Sequence, residues 1–123
     1  MILGDEEIRG LLKSKQLKIS PLRENQIESA SVKLSVDEPT LLRPMEFQTL
    51  WTMEYLEMPM WLVGVAHLLP KWAKMGLVMP TLVVEPGYTG YVTLPLRNVS
   101  REPVTVQGDV VRLMFMFARG VKI

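Results

Sequence analysis

Apolar positions recur along this chain with two different periods, and the change between them divides it. Near the start Ile8, Leu11 and Leu12 fall at i, i+3 and i+4, one stripe of a helix. Asp5 precedes them as a candidate N-cap, with Glu6 and Glu7 in the first turn where the helix dipole favours acids. The stripe predicts one short helix over about residues 5–15. Pro21 and the polar stretch 22–29 interrupt the chain, and from there the period falls to two. Phe47, Thr49 and Trp51 alternate with Gln48, Leu50 and Thr52. Val92, Leu94 and Leu96 share one face of a strand whose other face carries Tyr91, Thr93, Pro95 and Arg97. Leu62 to Ala66 is a short apolar run, and Val110 to Phe117 is almost continuously apolar, as in a strand covered on both faces. With 9 prolines and 8 glycines between these runs, the pattern predicts a mainly β chain, a sandwich or distorted barrel, forming one domain across residues 1–123.

Composition narrows the function classes. The 14 basic and 13 acidic residues leave a net charge of +1 and no basic stripe, which argues against a nucleic-acid partner. Zero cysteines remove disulfides, a thiol nucleophile and thiolate metal ligands. His67 is the only histidine and has no acid within four residues, so a nitrogen-and-sulfur metal site is not expected. Asp5, Glu6, Glu7 and Arg9 break up any N-terminal apolar segment, and no run approaches the ~20 apolar residues a membrane span requires. A cytoplasmic protein without a membrane partner is the expectation.

One segment carries more information than the rest: Glu85-Pro86-Gly87-Tyr88-Thr89-Gly90-Tyr91-Val92-Thr93-Leu94-Pro95-Leu96. An acid-Pro-Gly-aromatic-x-Gly turn entering an alternating strand resembles the central motif of the dCTP deaminase and dUTPase superfamily. Other segments resemble that superfamily in the right order: Ile2 to Arg9, Ala30-Ser31-Val32-Lys33-Leu34, Met53-Glu54-Tyr55-Leu56-Glu57-Met58-Pro59, Ala73-Lys74-Met75-Gly76-Leu77, and Gly108 to Phe117. The resemblance implies a dUTPase-like (β-clip) distorted barrel or sandwich and a homotrimer with active sites at its interfaces. The supply of Met and Trp side chains, 9 and 3, suits such contacts.

The same resemblance exposes what is missing. Where the deaminases end the motif in Thr-Leu-Glu-Leu, with the glutamate as general base, this chain has Pro95, which has no ionisable group. Where the family places Arg-Ser-Ser against the triphosphate, the chain has Leu69-Pro70-Lys71. Lys71 and Lys74 remain as possible point charges for phosphate, without the bidentate fork of arginine. Glu85 stands at the position of the aspartate that dUTPases use toward the attacking water. Its extra methylene displaces a base by about 1 Å, and its alternative role is a turn residue bonding the backbone around Pro86 and Gly87. Tyr88 offers a stacking surface for a base or an interface contact. Leu113-Met114 replaces the family's Gln-Leu, and the segment from Gly76 to Pro86 is slightly short for the loop that holds the nucleoside.

These losses favour a trimeric relative that has lost catalysis, with a nucleotide-related or structural role. The alternatives are a divergent dCTP deaminase or dUTP diphosphatase based on Glu85, and a sensor that binds a deoxynucleotide without turnover. No cofactor is implied, except Mg²⁺ if the substrate is dUTP.

Overall fold

The computed structural model describes residues 1–118, which form two four-stranded antiparallel sheets packed face to face. In chain order the elements are α1 (Asp5–Lys13), β1 (Lys18–Ser20), a 3-10 turn (Glu24–Gln26), β2 (Val32–Leu42), β3 (Phe47–Glu57), β4 (Leu62–Leu68), α2 (Pro70–Lys74), β5 (Leu77–Val78), β6 (Leu82–Val84), β7 (Thr89–Asn98) and β8 (Val104–Phe117). One sheet has the order β1-β3-β7-β5 and the other β2-β8-β4-β6. Neither closes on itself, so the architecture is a sandwich rather than a barrel. Inward residues of the first sheet, among them Leu56, Val92, Leu94 and Leu96, meet Leu34, Leu62, Val111, Leu113 and Phe115 of the second. Period two along each strand puts these apolar residues on one side.

The helical parts differ from the periodic expectation at their ends. α1 stops at Lys13 rather than about residue 15, because Lys15 takes a positive φ of 62° that no helix continues through. Its N-cap is Gly4, not Asp5: the Gly4 N–H donates to Glu7 Oε1 at 3.2 Å. A second helix, α2, was not visible in the pattern. Pro70 occupies its first turn, where the absent N–H costs nothing, and buried Trp72 anchors it by donating Nε1–H to the Asp109 carbonyl at 2.8 Å. β8 also departs from expectation. Its Leu113 and Phe115 are buried, but Arg112, Met114 and Met116 on the opposite face are only half-buried, so one face is covered and not two.

Both sheets contain a register shift, and buried side chains fill the gaps this leaves in the ladders. The β2–β8 pairing shifts between Leu34 and Ser35, and the β3–β7 pairing shifts between Trp51 and Tyr55. Glu54 lies inside the second shift and points inward, where its carboxylate reaches the first. Oε1 accepts the Ser35 backbone N–H at 2.8 Å, and Oε2 accepts the Ser35 hydroxyl at 2.5 Å and Gln26 Nε2–H at 2.9 Å. Thr52 Oγ1 accepts the Val92 N–H and donates to the Glu54 carbonyl, both at 2.9 Å. Glu57 faces outward, so the two acids around Tyr55 do not converge.

Candidate functional site

The Glu85–Tyr88 turn joins β6 to β7 and is built by its own backbone. The Tyr88 N–H donates to the Glu85 carbonyl at 3.0 Å, and the turn is tied to the end of β3 by Gly87 N–H to the Pro59 carbonyl (3.1 Å) and Met58 N–H to the Tyr88 carbonyl (2.8 Å). Gly87 has φ 79°, a left-handed conformation that favours glycine, and a Cβ there would stand 2.4 Å from Met60 Sδ, an exposed side chain that would have to turn aside. Beside the turn lies a cleft of about 280 Å³ whose walls include Leu82, Val84, Glu85, Tyr88, Val92 and Thr93.

Glu85 is exposed at this cleft, and among the described residues its carboxylate makes no hydrogen bond and no ion pair. Its expected side-chain bond to the turn backbone is therefore absent: the main chain already closes the turn through the Glu85 carbonyl, leaving the carboxylate free. Tyr88 turns its ring over Gly90 and donates its hydroxyl to the Tyr91 carbonyl.

Pro95 sits in β7 opposite Thr49 of β3. On the other side β5 reaches only Arg97 and Asn98, so β7 has a free edge at Pro95, where a residue without N–H breaks no ladder. Its neighbours on the same face are Thr93, Thr49 and Arg97, none of them a proton acceptor of carboxylate type.

Lys71 and Lys74 belong to α2. Lys71 Nζ lies 4.7 Å from the centre of the Trp72 ring, Lys74 is exposed, and neither forms an ion pair among the described residues. α2 follows the Leu68 end of β4, whereas the Glu85 turn is bonded to Pro59, ahead of the Leu62 end. The two groups therefore stand toward opposite ends of β4. The structure thus brings Glu85 and Tyr88 together and holds Lys71 and Lys74 away from them. Among the described residues no three His, Asp or Glu side chains converge as a metal site, and His67 is exposed in β4 opposite Arg112. Glu54 is the acid whose burial the sequence did not reveal; only its place in an inward-facing strand position, once the face is known, would have found it.

Sheet order and the acid-Pro-Gly turn together define a dUTPase-like β protein. The comparison with known proteins makes this specific. The chain belongs to the dCTP deaminase-like family, whose model matches residues 33–120. It is similar to a dCTP deaminase of Pyrobaculum islandicum, 30% identical over 138 residues that cover 87% of this chain and 78% of the relative. A probable deoxyuridine 5'-triphosphate nucleotidohydrolase of Sulfolobus islandicus rod-shaped virus 1 is 29% identical, with 97% of this chain and 84% of the relative covered. Among solved structures, the 2'-deoxycytidine 5'-triphosphate deaminase of Agrobacterium tumefaciens superposes with a TM-score of 0.81 at 17% identity, over 95% of this chain and 48% of that one. A dUTPase of Staphylococcus bacteriophage 80alpha gives 0.72 at 14%, over 89% and 94%. At such identities the superpositions speak for the fold alone. Among the described residues no helix is long and apolar enough to cross a membrane.

Proposed function

We propose that this chain is a homotrimeric dUTPase-like protein that has lost catalysis and retains a nucleotide-related or structural role. The observation that carries the reading is Pro95: its face of β7 offers no carboxylate where the resemblance places the general base. The phosphate donors are reduced to Lys71 and Lys74, which stand beyond the far end of β4 from the Glu85 turn of the same chain. The cleft at Glu85 and Tyr88 supports deoxynucleotide contact, since an apolar wall with a few polar groups is the ordinary form of a small-ligand site. A divergent deaminase or dUTP diphosphatase rests on the unpaired carboxylate of Glu85 alone, with Mg²⁺ needed only for dUTP. Incubation with dCTP, and with dUTP plus Mg²⁺, is expected to leave both intact; steady formation of dUTP or dUMP overturns the proposal. Calorimetric titration with dCTP, dUTP and dTTP then separates a nucleotide-binding role, seen as saturable heat, from a structural one.

A further inference from the structure

A second cleft, of about 430 Å³, opens between the end of α1 and β1. It shares no wall residue with the cleft at Glu85, and β3 runs between them, with β1 on one side and β7 on the other. Leu12, Leu17, Ile19 and Leu22 give it an aliphatic wall. Leu17 and Ile19 belong to the core at 0% and 7% exposed, which fixes that part of the wall, and Leu12 and Leu22 are half-buried beside it. The polar part is Lys15, Lys18 and Ser20, with no acid. Glu57 lies opposite Lys18 across the β1–β3 pair, yet neither lysine forms an ion pair among the described residues. Lys15 also holds an uncommon backbone. Its N–H donates to the Leu12 carbonyl at 3.2 Å, and the Gln16 N–H donates to the Leu11 carbonyl at 3.1 Å. In this closure of a helix end the residue at the place of Lys15 is left-handed and is most often glycine. A lysine at φ 62° is strained there. The helix dipole does not require it, because Lys13 already puts a cation in the last turn.

We propose that this cleft binds a small aliphatic carboxylate, its chain against the leucines and isoleucine and its head at Lys15 and Lys18. The volume falls within the range of small-molecule sites, where an apolar wall carries a few placed polar groups. Two unpaired ammonium groups and no acid fix the sign of the ligand's charge. Lysines act as point charges without the fork that grips a phosphate, so a compact carboxylate head suits them. The Ser20 hydroxyl adds a neutral donor at the same wall. An aliphatic body follows from a wall without aromatic rings, which gives a nucleobase nothing to stack on. An anion beside a helix C-terminus meets the negative end of the dipole, but here the Leu11 and Leu12 carbonyls are already engaged by the closing N–H groups. The site is separate from the nucleotide-related reading above and does not depend on it.

The experiment is calorimetric titration of the full chain with octanoate below its micelle range, and separately with octylammonium and with acetate. Saturable heat is expected from octanoate alone, since octylammonium has the wrong charge and acetate has no chain to bury. Lys15→Gly suits the left-handed backbone, so this variant is expected to unfold in urea no earlier than wild type. Its affinity for octanoate is expected to fall about fivefold, the upper range for an exposed ion pair. Methyl NMR of wild type needs no variant: octanoate should shift the methyl signals of Leu12, Leu17, Ile19 and Leu22 and leave those of Leu82 and Val84 in place. The proposal is overturned by an absence of saturable heat from octanoate, by equal binding of octylammonium, or by a Lys15→Gly variant that binds as wild type does. Shifts gathered at Leu82 and Val84 would overturn it too, by placing the ligand in the other cleft.

Discussion

Glu54 is 1% exposed and forms no ion pair among the described residues, so its position depends on neutral donors. Glu54→Ala leaves the Ser35 N–H and the Ser35 hydroxyl without their acceptor, while Gln26 Nε2 keeps its bond to the Lys33 carbonyl, and is expected to cost about 4 kcal/mol. Urea unfolding measures it, and a loss below about 1 kcal/mol contradicts the role given to this carboxylate. Glu28 supplies the pH-dependent counterpart. Partial burial by itself raises its carboxyl, but the Arg112 hydrogen bond and charge, together with Lys33, outweigh that and leave it below the ordinary 4.5. A carboxylate depressed in the folded state stabilises above its unfolded value, and that stability is lost as pH falls through the folded one. Stability is therefore expected to decline below about pH 4.5, by a modest amount because the side chain is 32% exposed. In Glu28→Gln this part of the decline should vanish; equal slopes for the two proteins from pH 6 to pH 3 would refute it.

At the level of elements, β3 shows how far the sequence pattern carries. Alternation predicts the strand, but hydrophobicity does not select its inner face. The core receives Leu50, Thr52, Glu54 and Leu56, while Phe47, Trp51, Met53 and Tyr55 face out. The inner face is the more polar one because two register shifts demand hydrogen bonds there. α2 was not legible for a different reason: five residues are too few to show a period, and its anchor is the distant Asp109 carbonyl. Trp72→Phe keeps the buried ring and loses that bond, with an expected cost of about 1 kcal/mol by urea unfolding; a cost near zero would remove the anchor. β7 tolerates Pro95 because its edge is free there. Pro95→Glu is thus expected to fold with stability within about 1 kcal/mol of wild type and, on the proposed reading, to gain no deamination, since one base does not replace the Arg-Ser-Ser donors whose place Leu69-Pro70-Lys71 takes. Deamination of dCTP by this single variant would show that the rest of the site had survived.

For the molecule as a whole, family and fold were legible because ordered motifs, not any single one, fall on the right elements: the acid-Pro-Gly turn between β6 and β7, the Gly76 turn after α2, the closing run in β8. The candidate site was legible only in part. Glu85 and Tyr88 share a turn and so stay together, but Lys71 and Lys74 are separated from them by the length of β4, a distance that spacing along the chain does not express. The central claim is that the site no longer turns over nucleotides, and direct product analysis tests it. Purified protein is incubated with dCTP and, separately, with dUTP plus Mg²⁺, and the nucleotides are separated by chromatography. The predicted result is unchanged dCTP and unchanged dUTP. Conversion of either at about 1 per second or more, within the ordinary range of enzymes, contradicts the account, and loss of that conversion in Glu85→Ala would then assign the base.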